Sequence, residues 1–208
     1  MTSLPMRSTQ QDHDRALCVV PAPPQVDLTA AELAAGALLR ALGITTEGES
    51  IRETPARIAR AYAERFTAEA FQPTTFPTLE GYDELVLARS IPFRSVCEHH
   101  MLPFVGSAHA GYLPGERILG LSKLARAVGH FAARPQIQQR LTKQVADWLQ
   151  ATLRPAGVGV VIEAEHTCMT YRGVRALGST TATSALLGRL RNDARSRQEF
   201  FALTRLAG

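Results

Sequence analysis

The sequence predicts an α+β protein built on a mainly antiparallel sheet. Three observations predict it. "ETPARIARAYAERF" repeats its apolar residues at helical spacing, whereas "ELVLARSIPF" and "FVGSAHAGYL" are strand-like runs ending near the "PGE" turn. The segments follow in the order helices, strands, helices, strands, helix. No internal repeat interrupts that order. At 208 residues, with 45% hydrophobic and 20% charged content, the chain suits one domain carrying a tail.

The tail is residues 1–26, polar and proline-rich ("PAPPQ") without periodicity, and is expected to be flexible. The domain is 27–208, with N-terminal helices over about 27–71 and a sheet-bearing core over about 82–208. In the first helix "TAAE" offers a capping box from Thr29 to Glu32, with the stop at Gly43. The second has Thr54 as cap and Pro55 at the first helical position, where a missing N–H costs nothing. Ile58, Tyr62 and Phe66 then form its expected buried stripe.

After the two strands come two more helices. "SKLARAVGHFAAR" has Ser122 as cap, and "PQIQQRLTKQVADWLQATL" opens at Pro135. A strand "GVGVVIEAEHTCM", a further strand "STTATSALLG" and a closing helix "SRQEFFALTRL" complete the order.

Composition excludes several classes of function. No run approaches the roughly 18–20 apolar residues needed to span a bilayer, and no signal-peptide pattern opens the chain, so a cytoplasmic protein is expected. Three cysteines (Cys18, Cys97, Cys168) make a poor disulfide framework. The net charge of +4 suits nucleic acid or a phosphorylated small molecule. No nucleic-acid-binding motif favours the former.

Two clusters carry chemistry. In "SVCEHHMLPFVG", Cys97 and His100 have the C-x-x-H spacing that lets one turn present two ligands to one metal. In "EHTCMTYRG", Cys168 is expected as a third ligand arriving from a different strand. Thiolate and imidazole together select zinc or a similar borderline metal over magnesium or calcium, and three protein ligands leave a fourth tetrahedral position for solvent. His99 and His166 remain beside this set, and imidazoles with pKa near about 6.5 serve as general acids or bases. His13, His109 and His130 are assigned to tail, strand and helix surface.

In "LSKLARAVG", Lys123 and Arg126 share one face in the first turns of a helix, which fits either a bound anion or a solvated basic face. Arg172 follows Cys168 by four residues. Arg57, on an early helix, is either an exposed arginine or reaches the site across a fold or subunit boundary.

With these residues assembled, the chain resembles the GTP cyclohydrolase I family from about residue 28 onward. "ETPARIA", "CEHHMLPF", "GLSKLARAV", "FAARPQIQQRLT" and "EHTCMTYRGVR" occur in the family's order and spacing. The resemblance implies a tunnelling fold, a four-stranded antiparallel sheet with helices, whose sheets join as a barrel in a homodecamer with active sites between subunits. It implies Zn2+ on Cys97, His100 and Cys168, and an acid–base pair of His99 and His166. Ser122 is placed by the ribose, with Leu121, Gln138 and Gln139 in the substrate-binding set. Lys123, Arg126 and Arg172, with Arg57 of a neighbour, would hold the triphosphate of GTP. The implied reaction opens the guanine imidazole ring at C8, releases formate and forms 7,8-dihydroneopterin triphosphate.

Within these motifs the chain departs from the family's usual pattern after "RPQ". The family reads Gln-Glu after "RPQ" and a residue, and that glutamate binds the guanine edge; here Gln138 is followed by Gln139. Guanine presents N1–H and the 2-amino group, two donors that a carboxylate accepts together and a carboxamide does not. Between Glu116 and Glu163 the only carboxylate is Asp147, about two turns along the helix, although Glu98 could approach from the metal loop. A xanthine- or hypoxanthine-type nucleotide is therefore the alternative substrate. A non-catalytic zinc-binding assembly protein is the alternative from another class, opposed by the presence of both His99 and His166.

Overall fold

A computed structural model describes residues 25–68, 70–78 and 81–205. His13, Cys18 and nearly all of the expected tail lie outside them. Two helices lead, α1 (Leu28–Ala41) and α2 (Thr54–Phe66), packed on each other. The α1 cap is Asp27, whose side chain accepts from the Ala30 amide at 2.9 Å, instead of Thr29. A carboxylate two residues earlier reaches the same orphan donors and also complements the helix dipole. Gly43 has φ +76°, the left-handed stop the sequence predicts. In α2 the cap position falls to Glu53, without a side-chain capping bond, rather than to Thr54, which is already helical, and Pro55 lies in the first turn.

The stripe of α2 is displaced from the predicted one. Ala56 and Ala59 are buried, while Tyr62 is exposed. Small residues let α2 approach α1 closely, which leaves the tyrosine free to reach elsewhere.

The sheet is antiparallel apart from one short strand. Its strands are β2 (Val86–Cys97), β3 (Pro103–Leu113), β6 (Gly157–His166), β7 (Thr181–Gly188) and the two-residue β5 (Pro135–Gln136), in the order β5-β2-β3-β6-β7. β5 runs parallel to the end of β2, at Val96 and Cys97. A separate ribbon joins β1 (Thr75–Pro77) to β4 (Arg117–Leu119). Pro135 thus belongs to a strand, and the helix predicted to open there, α4, spans Gln138–Leu153.

One face of the sheet packs on α3 (Ser122–Ala132) and α4. Period-two residues Val158, Val160 and Ile162 of β6 meet Leu141, Val145 and Leu149, spaced four apart on α4; all six are fully buried. Each such side chain contributes about 1.5–3 kcal/mol on burial. His130, expected on the helix surface, is 4% exposed, lies edge-on to Phe71 and Phe131, and bonds Arg134 at 3.0 Å.

The second face is covered at one end by α6 (Arg189–Asn192) and α7 (Ala194–Arg205). Phe200 sits over Gly159, where an added Cβ would lie 2.7 Å from its ring. Leu113, Leu190 and Phe200 form a small core there. Among the described residues no helix is long and apolar enough to cross a membrane.

Candidate metal centre

The site forms at the other end of the sheet. β2 delivers Cys97, and a tight loop of 97–102 returns the chain to β3. The Cys97 amide donates to the Leu102 carbonyl at 2.8 Å, and the Met101 amide donates back to the Cys97 carbonyl at 2.8 Å. Met101 takes φ +52° to close the loop. The turn carries His100 back over Cys97, with Nδ1 3.8 Å from Sγ.

The second arm follows from register. Phe104 of β3 pairs with His166 of β6, and their rings stack at 4.4 Å and 8°. Beyond His166 the chain turns into α5 (Thr167–Thr170), so Cys168 sits on a helical turn and not on the predicted strand. The Thr167 hydroxyl donates to the Pro103 carbonyl at 2.6 Å and fastens this turn to the start of β3.

Cys97, His100 and Cys168 therefore converge, their ligand atoms all within 4.8 Å of one another. Tetrahedral zinc with S and N donors needs ligand separations of roughly 3.3–3.8 Å. The 3.8 Å pair already fits, and no two of the three ligand atoms lie beyond 4.8 Å. Both cysteines are free thiols. Burial raises the Cys168 pKa, and the neighbouring Cys97 raises it further by charge and hydrogen bonding, while Arg172 partly opposes them. A bound divalent cation inverts that repulsion and holds both thiols ionised. The donor set fits a thiophilic metal such as zinc.

His166 is locked from behind. Its Nε2 lies 2.7 Å from Gln138 Oε1. Gln138 Nε2 faces the carbonyls of Ile162 (3.1 Å) and Thr181 (2.8 Å), with the Thr183 hydroxyl at 3.1 Å. Two obligate acceptors fix that end as the NH2, so Oε1 accepts and His166 Nε2 carries the proton. The lone pair of neutral His166 then lies on Nδ1. Burial lowers the His166 pKa and favours the neutral ring. His99 stands exposed beside His100, ring centres 6.4 Å apart.

The remaining candidates spread around this centre. Gln138 is 2% exposed with its amide fully engaged, whereas Gln139 is exposed. Gln139 lines a cleft of about 630 Å³ with Thr183 and Ser184 of β7. Leu121 is 73% exposed, and it, rather than Ser122, occupies the cap position of α3; neither makes a side-chain cap. Ser122 and Arg126 are exposed and Lys123 half-buried on that helix. Arg126 borders a cleft of about 220 Å³ with Arg65 and His130. Arg172 is exposed, and Arg57 bonds the Ser50 carbonyl at 3.4 Å.

A family profile for GTP cyclohydrolase I matches residues 31–205. The chain belongs to the GTP cyclohydrolase I family. Its relatives include the GTP cyclohydrolase 1 of Corynebacterium glutamicum, 52% identical over 173 residues, 81% of this chain and 88% of that protein. The Aquifex aeolicus GTP cyclohydrolase 1 is 48% identical over 167 residues, 80% of this chain and 91% of that one. A solved structure of the archaeosine synthase QueF-Like in the apo form aligns at a TM-score of 0.42 and 17% identity, covering 50% of this chain and 93% of that one.

Sequence reasoning missed the contacts that brace the family's cysteine–histidine loop. Arg140 of α4 pairs with Glu98, and the Tyr62 hydroxyl donates to the Met101 carbonyl at 2.8 Å. They join residues 42 and 39 apart in the chain. The one local signal was a tyrosine on the predicted buried stripe of an alanine-packed helix.

Proposed function

We propose that the chain hydrolyses GTP at C8, releases formate and forms 7,8-dihydroneopterin triphosphate. The observation that carries this function is the convergence of Cys97, His100 and Cys168 beside a histidine whose tautomer is fixed. Cys97, His100 and Cys168 would hold a zinc ion, which would supply a Lewis acid and make water nucleophilic at neutral pH. Two waters enter and one leaves on ring closure, so GTP plus one water gives product plus formate.

The protein's own groups perform the proton work. His166, neutral and oriented by Gln138, offers Nδ1 to accept or return a proton as the imidazole ring opens. His99, solvent-facing, exchanges protons with bulk water. Lys123, Arg126 and Arg172 attract the triphosphate, and Arg57 of an adjacent subunit completes the clamp. Leu121 and Ser122 face the nucleoside. This arrangement needs the tunnelling-fold barrel and a homodecamer, in which the exposed apolar loop of Tyr171, Val174 and Leu177 would be covered. A cytoplasmic setting keeps the ligand thiols reduced.

One observation favours a second substrate class. Gln138 is consumed internally, Glu98 is paired with Arg140, and Gln139 is the exposed amide on that turn. A carboxamide mismatched to guanine costs roughly 1.5–3 kcal/mol, about 10- to 150-fold in affinity. A xanthine-type base, with a donor at N1 and an acceptor at C2, matches the amide.

Formate release from GTP, ITP and XTP, with product mass analysis, tests both. GTP turnover that improves in Gln139→Glu supports the GTP function. XTP preferred by the wild type and GTP by the variant supports the second class. No formate from any of the three contradicts both.

A further inference from the structure

We propose that Arg140 is a positioning residue that sets the metal-ligand loop through Glu98, and that the first turn of α4 aligns both arms of the metal centre. This inference rests on the metal function proposed above. The guanidinium is held on three sides. Its Nε donates to Gln136 Oε1 at 2.9 Å, and its Nη2 donates to the Pro135 carbonyl at 3.0 Å and to the Glu98 carboxylate. Gln136 is itself 1% exposed and anchored, its Nε2 donating to the Phe131 carbonyl and to Gln144 Oε1, both at 2.8 Å. Arg140 is partly exposed, yet its guanidinium is held at Nε and Nη2, and it meets the loop through Nη2 on Glu98.

Glu98 lies between the ligand Cys97 and His99. Its amide donates to the Gln136 carbonyl at 3.1 Å, so both its main chain and side chain are tied to the β5–α4 junction. Two residues before Arg140, Gln138 fixes His166 on the opposite arm. One helical turn thus grips the Cys97–His100 arm through Arg140 and the His166–Cys168 arm through Gln138. A ligand set drawn from separate elements is closed enough for a metal only when those elements keep their relative position. Partners behind the ligands typically alter metal affinity by about 10- to 100-fold when removed.

The test compares Arg140→Met, Glu98→Gln and the double variant as full-length protein. Zinc dissociation is measured by competition with a chromophoric chelator, Co2+-substituted protein gives the visible ligand-field spectrum, and steady-state kinetics use GTP. Each single variant is expected to hold zinc about 10-fold or more weakly and to broaden the Co2+ bands. The double variant should be no worse than either single one, because both remove the same contact. kcat should fall while KM for GTP stays within about two-fold.

Unchanged zinc affinity and Co2+ spectrum in Arg140→Met would overturn the proposal. So would a rise in KM alone in Glu98→Gln, which would make Glu98 a substrate-facing group. A wild-type protein that retains no zinc would overturn the metal centre together with this proposal, and so differs from a failure of the proposal alone.

Discussion

The two ends of the sheet have been built by different physics. At one end β2 and β6 finish in Cys97 and His166 and β3 starts beside Phe104, and there hydrogen bonds and ligand-type approaches are laid over the edge of the apolar core. At the other, Leu113, Leu190 and Phe200 close an apolar cluster over Gly159. Backbone register connects them, so one sheet carries a stabilising end and a reactive end. Substitutions at the reactive end should remove chemistry and leave the fold; those at the apolar end should do the reverse.

The largest contrast is expected from Cys168→Ser. It should abolish zinc retention and lower formate release by at least about 10³-fold, while sedimentation matches that of the wild type. His166→Ala should lower kcat about 10²- to 10⁴-fold with zinc still bound, as quantified by turnover and metal content. Gln139→Glu sharpens the division within the reactive end itself. It should lower KM for GTP by about 10-fold or more without changing zinc content.

Gly159→Ala probes the far end. Its Cβ would meet the Phe200 ring at 2.7 Å, so unfolding should shift by about 1–3 kcal/mol in denaturant titrations while zinc per folded chain stays constant. The smallest effect concerns His109, whose Nδ1 accepts from the Ser90 amide at 3.4 Å across the β2 bulge. Burial lowers its pKa below 6.5, Arg89 lowers it further, and Glu163 opposes both. The unfolded chain therefore binds its proton first. The associated stability is present above pH 6.5 and declines as pH falls through the lower folded value. Thermal melts of His109→Gln should show a shallower decline over that range than the wild type.

Much of this division was legible in the sequence, because its strongest signals are local. C-x-x-H spacing placed Cys97 and His100 on one turn, and "GVGVVIEAEH" forms the strand expected of it, β6. Where competing local choices existed, the sequence misled. Asp27 displaced Thr29 as cap, Pro135 went to a strand edge, and α2 turned its alanines inward so that Tyr62 was freed for the metal loop. His130 was buried because Arg134 and two aromatic rings enclose it, partners that its own helix pattern does not reveal in space. The braces on the site depend on pairings such as Arg140 with Glu98, which exist only once β5 lies along β2. No periodicity encodes them.

The most direct test is zinc K-edge X-ray absorption on the purified protein. The account predicts two sulfur ligands at about 2.3 Å, one imidazole nitrogen at about 2.0 Å and one further light-atom ligand from solvent. Protein without zinc, a coordination sphere lacking sulfur, or a fourth protein side chain in the solvent position would contradict it.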